Sequence, residues 1–207
     1  ALTAAEVELV SRGQSLGFAD VGADGTAIET SVFSAGVDSY VQVNGTADGN
    51  IDSIGGEDDT LRLTLNGTSN VHGVYKNVGS VYGKRYRFTA KYYISSSNSD
   101  VTGLAFYFGA GNRTVIHSTG GAAATDTWVE VNAEVICGQD NAAITNPERL
   151  TVYALNSSLA TVFTDSGSDD VFYLKDIVIT QLGEVLKFLP ESAATARWYN
   201  EGGAGSS

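Results

Sequence analysis

The chain has 207 residues, 43% of them hydrophobic, which suffices for one large β-domain or a medium domain with attached pieces. A formal net charge of -12 repels nucleic acid and anionic lipid, so neither is expected as a partner, and no apolar run approaches the ~18 residues of a membrane-inserting helix. The single cysteine, Cys137, allows no intrachain disulfide, and the two isolated histidines, His72 and His117, poorly support a zinc site or a catalytic triad.

In chain order, residues 2–12 form the one predicted helix. Thr3 and Glu6 make a capping box, Leu2 and Val7 a hydrophobic staple, and Gly13 the stop. The helix is too short to be stable alone and must dock on something. Residues 14–30 are Gly- and Ala-rich and read as a linker. Residues 39–43 and 50–54, separated by Asn44-Gly45 and Asp48-Gly49, suggest a hairpin. Clearer strands follow at 60–65, 86–94, 102–108, 128–136 and 150–155, with weaker ones at 71–78, 115–118 and 161–164. Residues 171–180 are the longest run of β-formers, and both of their faces are mostly apolar, as in a strand buried between two layers. A period of two puts Asp176 on the Phe172–Leu174 face and Lys175 on the opposite one. Beyond residue 183 a strand is expected up to Leu189, broken by Pro190. Many short strands with polar turns indicate an all-β sandwich.

Four segments carry a resemblance. They are Asp59-Thr60-Leu61-Arg62-Leu63-Thr64, the turn and strand from Val81-Tyr82-Gly83-Lys84 to Tyr93, Asp126-Thr127-Trp128-Val129-Glu130-Val131, and Asp170-Val171-Phe172-Tyr173-Leu174-Lys175-Asp176-Ile177-Val178. Together they resemble the jelly-roll carbohydrate-binding modules of xylanases, laminarinases and phage tail proteins. Lys175 replaces the first acid of the closing motif, and the family's N-terminal signature is not evident in residues 24–32. Both chain ends, Ala1-Leu2-Thr3-Ala4-Ala5-Glu6-Val7 and the run from Gly183 to Asn200, resemble parts of laminin-G-like lectin domains of phage tail and adhesion proteins. The expected organisation is therefore a helix and linker over 1–21, a jelly-roll β-sandwich over 22–182, and a C-terminal extension over 183–207 that opens a following unit.

The resemblance implies a structural calcium ion with Asp176 as a ligand, to which Asp24, Glu29 or Asp38 would add oxygens, since calcium takes about six to eight. The alternative is that Asp176 caps a backbone amide or pairs with Arg62 or Arg85. The resemblance also implies a glycan platform of aromatic and polar side chains on one sheet face. Alternation nominates Arg87, Lys91 and Tyr93, then Tyr107, then Glu130, Asn132 and Glu134, with Tyr153 joining from the next strand. The alternative is a solvated face with ordinary cross-strand pairs worth about 0.2–1 kcal/mol each. Trp128 begins its strand and is expected in the core. Catalysis is not expected: Glu130 and Glu134 share a face, but their Cα atoms lie roughly 13–14 Å apart by strand rise, beyond the ~5–9.5 Å between glycosidase carboxyl groups.

The expected function is a non-catalytic glycan-binding module of a virion appendage, in a virion or extracellular setting, contacting a cell-surface or polysaccharide glycan and neighbouring virion proteins. The alternatives are a purely structural virion module that binds no sugar and a binding module of a polysaccharide-degrading enzyme. The sequence shows no heptads and leaves a homo-oligomer open.

Overall fold

The computed structural model describes residues 25–67, 70–120, 122–139, 144–163, 170–183, 186–192 and 195–200. The strands are β1 (Ala27–Ser31), β2 (Val41–Val43), β3 (Thr46–Ile51), β4 (Thr60–Thr64), β5 (Gly73–Asn77), β6 (Arg85–Ile94), β7 (Gly103–Gly109), β8 (Arg113–Ser118), β9 (Trp128–Ile136), β10 (Arg149–Leu155), β11 (Val171–Gln181), β12 (Leu186–Ser192) and β13 (Thr195–Asn200). A six-stranded sheet has the order β3-β4-β11-β6-β9 with β1 also on β11, and a five-stranded sheet has the order β2-β5-β10-β7-β8. Every pairing in them is antiparallel. Both sheets lie in one compact unit, Thr26–Gln181, while the antiparallel hairpin of β12 and β13 lies in a separate one. No helix occurs among the described residues, and the expected helix over 2–12 lies outside them.

The two sheets bury one apolar layer between them. In β6 the alternation is complete: Tyr86, Phe88, Ala90, Tyr92 and Ile94 are buried, and the residues between them are half-buried. Opposite them, β7 contributes Leu104, Phe106 and Phe108, and β10 contributes Leu150, Val152 and Ala154. Rings meet across the layer, with Phe88 and Phe106 centroids 5.4 Å apart and Tyr86 and Phe108 5.3 Å apart. The Cys137 thiol is buried beside this core, and burial pushes its pKa up to about 11, so it stays a protonated hydrophobe.

β11 is central in its sheet, but only one of its faces is buried, in place of the burial on both faces expected from its apolar character, and its two-residue period is broken. One edge pairs throughout with β6, and the other pairs first with β4 and then with β1. Between Lys175 and Val178 the β6 register shifts by one residue, and Asp176 takes φ 51°. This β-bulge moves the apolar set across the pleat, so Phe172, Leu174, Ile177 and Ile179 are all fully buried. Asp176 and Lys175 consequently both face outward, in place of the opposite faces expected from simple alternation.

Other expectations are corrected too. Residues 27–30, read as linker, belong to β1, whose pairing partner β11 is remote in sequence. Residues 39–54 do not form a hairpin. β2 joins the five-stranded sheet through β5, and β3 joins the six-stranded sheet through β4. The turn at Asn44 (φ 53°) and Gly45 (φ 87°) carries the chain between them. Pro190 does not end its strand. It lies inside β12, next to a register shift, where a missing N–H is tolerated.

Candidate functional site

The eight side chains nominated for a single platform divide between two faces that point away from each other. Arg87, Lys91 and Tyr93 of β6 and Glu130, Asn132 and Glu134 of β9 lie on the outer face of the six-stranded sheet. There Arg87 pairs in register with Glu134, Thr89 with Asn132, and Lys91 with Glu130. Tyr107 of β7 and Tyr153 of β10 belong to the other sheet. Alternation along a strand sets the side on which a residue points, but not the sheet to which its strand belongs.

The outer face of the six-stranded sheet is occupied by internal partners. Arg87 donates to Glu134 (3.0 Å), and both side chains are more than two-fifths exposed. Lys91 reaches Glu57 (3.2 Å) and Asp176 (3.5 Å), and Lys175 reaches Glu57 (2.8 Å) and the Asp58 carbonyl (2.8 Å). Hydrogen bonds from Lys175 and then Lys91 hold the Glu57 carboxyl below its usual range, and donating to Glu57 raises the Lys91 ammonium. Trp128 is not in the core. It stands on this face beside Tyr93 (centroids 5.6 Å apart), and Tyr173 meets Tyr93 edge-on at 5.8 Å. The Trp128 indole N–H donates to the Ile54 carbonyl at 2.7 Å. Gly55, at φ 55°, lies so close that a Cβ there would come within 2.9 Å of the Tyr93 ring. The turn from Ile54 to Glu57 therefore lies against this aromatic cluster. Beside it, Thr89, Lys91, Glu130, Asn132 and Asp176 line an open depression of about 200 Å³.

At Asp176 the donor set does not fit calcium. Its nearest charged partner is the Lys91 ammonium, and neither Arg62 nor Arg85 is paired with it: Arg62 bonds Asp48 at 2.9 Å. Among the described residues no three acidic, His or Cys side chains gather as a metal set. Glu29 is committed to Ser31 and Lys76, Asp38 accepts from the Val32 and Phe33 amides, and Asp24 lies outside the described residues. The acid of the closing motif with a clear structural task is Asp170. Its buried carboxylate accepts from the amides of Ser99, Asp100 and Val101 and fixes the loop after β6. Only its place just ahead of a strand after a polar loop hinted at capping.

The outer face of the five-stranded sheet is built differently. One cross-strand row runs Val41, Tyr75, Thr151, Tyr107, Val115, and the next includes Gly73, Tyr153 and Ala105. The small residues form a floor between tyrosines. Gly73 is required because a Cβ there would come within 2.2 Å of the Val152 carbonyl oxygen and 2.6 Å of the Tyr153 ring. Thr151 is fully buried, and its hydroxyl donates to the Gly109 carbonyl (2.8 Å). Tyr107 and Tyr153 stand 6.1 Å apart, with the Arg113 guanidinium 4.3 Å and 4.8 Å from their centroids. Arg149 stacks on Tyr75 at 3.3 Å. Burial pushes the Tyr107 phenol up and Arg113 offsets this only in part, so the hydroxyl remains a donor. Tyr75, Arg113 and Arg149 were not nominated from the sequence. Tyr75 lies in a weakly patterned strand, and the cation–ring stacks join residues from different strands.

Neither a family model nor a curated protein matches the sequence. Solved structures do match the fold. The CBM22-1 xylan-binding domain of Paenibacillus barcinonensis Xyn10C aligns with a TM-score of 0.52 at 12% identity, over 79% of this chain and 99% of that one. The CBM22-1–GH10 modules of Clostridium thermocellum Xyn10B, complexed with xylohexaose, align with a TM-score of 0.53 at 13% identity, over 77% of this chain and 29% of that one. The CBM22 tandem of Paenibacillus barcinonensis Xyn10C gives 0.53 at 13% identity, over 86% and 51%. The chain has the jelly-roll fold of carbohydrate-binding modules.

Proposed function

We propose that the Thr26–Gln181 sandwich is a non-catalytic module that binds a polysaccharide on the outer face of its five-stranded sheet. The observation that carries this is the row Tyr75–Thr151–Tyr107 with Tyr153 beside it. Aromatic edges there flank a floor of small residues, and guanidiniums sit at hand for hydroxyl groups. On the opposite face most of the polar side chains that could reach a sugar are already paired with the protein itself. The fold relatives suggest a ligand class, because one is a xylan-binding domain and another is complexed with xylohexaose. A β-linked glycan chain of that kind is the first ligand to test. Native electrophoresis through gels containing xylan, β-glucan or no polysaccharide reads this directly. Retardation by a glycan is expected, and a well-folded sample retarded by none contradicts the assignment.

For the carrier we favour a virion appendage, a tail or fibre protein, with neighbouring virion proteins as further partners. Its support is the resemblance of the chain ends to lectin-like units. A polysaccharide-degrading enzyme is the second reading, favoured by the Clostridium thermocellum relative, in which the module is joined to a GH10 domain. The complete reading frame separates them: virion modules beside this one support the first, and a catalytic domain supports the second.

A further inference from the structure

Five of the described cations are spent on carboxylates. Arg62 sits on Asp48, Lys76 on Glu29, Arg87 on Glu134, Lys91 on Glu57 and Asp176, and Lys175 on Glu57. In a chain with 24 acidic and 12 basic residues, pairing is what random placement would already favour. Among the described residues, Arg113 and Arg149 have no carboxylate partner and rest on tyrosine faces instead. The Nε–H of Arg149 is buried and without an acceptor.

Both arginines lie at the same end of the same sheet face. Arg113 pairs in register with Gly109 of β7, and Leu150 pairs with Phe108, so Arg149 lies one step along β10, beside Gly109. The two backbones are separated by a single strand, about 10 Å at ~4.8 Å per strand, with no side chain between them. Stacking on Tyr107, Tyr153 and Tyr75 leaves a planar guanidinium with its edge available for a bidentate acceptor.

We infer that the five-stranded face recognises an acidic polysaccharide, with Arg113 and Arg149 each taking the carboxylate of a uronic acid residue. This rests on the glycan-binding reading above and names the substrate class of that same face. The net charge of -12 opposes a polyanion at long range, but at physiological salt that repulsion is screened beyond about 8 Å, while a direct guanidinium–carboxylate contact is not. The tyrosines hold both guanidiniums in place in the free protein, so little side-chain freedom is lost on binding.

The test is calorimetric titration at 0.15 M salt with an oligogalacturonate and with xylohexaose of equal length, together with dextran sulfate. The wild type is expected to bind the oligogalacturonate at least about tenfold more tightly than xylohexaose. Arg113→Gln and Arg149→Gln are each expected to remove most of that preference, weakening oligogalacturonate binding more than xylohexaose binding. Because these arginines also pack on rings, Arg113→Lys and Arg149→Lys are measured alongside. They keep the charge but lose the fork, and they are expected to behave like the Gln variants. Equal affinity for the neutral and acidic chains, an unchanged preference in all four folded variants, or equal binding of dextran sulfate overturns the uronate assignment alone. Binding of no glycan at all overturns the glycan-binding reading with it.

Discussion

Lys76 Nζ stands 2.7 Å from Glu29 Oε1, and this contact joins the two sheets, because Lys76 belongs to β5 and Glu29 to β1. Glu29 is only 7% exposed and Lys76 19%, so the pair is largely shielded from water. Removing one partner strands the other charge. Glu29→Gln is expected to cost about 3 kcal/mol, a fall of roughly 6–12 °C in Tm for a unit of this size. Glu29→Leu with Lys76→Met is expected to recover most of it, since a buried pair replaced by apolar groups is often neutral. A loss below about 1 kcal/mol for the single variant in a denaturant titration contradicts this assignment.

The backbone gives Asp176 a role that needs no metal. Its φ of 51° is the left-handed region, which Asp and Asn tolerate and β-branched residues do not. Asp176→Asn keeps the bulge and loses a part-exposed contact to Lys91, a cost of at most about 1 kcal/mol. Asp176→Val is expected to cost about 1–3 kcal/mol. The wild type is expected to melt at the same temperature with calcium and with chelator. A Tm that falls in chelator, and stops responding in Asp176→Asn, contradicts the account.

Glu57 gives the Ile54–Glu57 turn a pH dependence. Its carboxyl is held below the 4.5 of a free glutamate by hydrogen bonds from Lys175 and Lys91. A depressed acid contributes stability that is present above the unfolded pKa and is lost as pH falls through the lower folded value. The turn should therefore release from Trp128 below about pH 4.5. In a Trp198→Phe background, Trp128 emission is expected to shift in acid before the sandwich unfolds, and Glu57→Gln is expected to show the shifted emission already at neutral pH. Emission that changes only with global unfolding contradicts it.

Much of the sandwich was legible because its long strands have clean periods. The expected 128–136 strand is β9 as observed, and 86–94 differs from β6 by one residue. What failed was long-range pairing and local backbone. β1 has little pattern of its own and becomes a strand only because β11 leaves an edge beside it. The bulge at Asp176 inserts one residue without changing the composition, so counting by twos past it put Ile177 and Ile179 on the Lys175 face, opposite Phe172 and Leu174. The platform residues were individually outward-facing as alternation said, yet Tyr107 and Tyr153 lie on the sheet opposite Tyr93, because sheet membership depends on which strands pair. Trp128 was misplaced for a related reason. Its indole finds cover under the Ile54–Glu57 turn, more than 70 residues earlier in sequence.

The central claim, that the five-stranded face carries ligand, is tested most directly by titrating xylohexaose into variants of each face. Tyr75→Ala and Tyr107→Ala are expected to weaken binding by about 0.5–1.5 kcal/mol each, up to about tenfold in Kd. Lys91→Ala and Glu130→Ala, on the six-stranded face, are expected to leave Kd within about twofold of wild type. Retained binding in the tyrosine variants with loss in the Lys91 or Glu130 variants contradicts the account and moves the site to the opposite face.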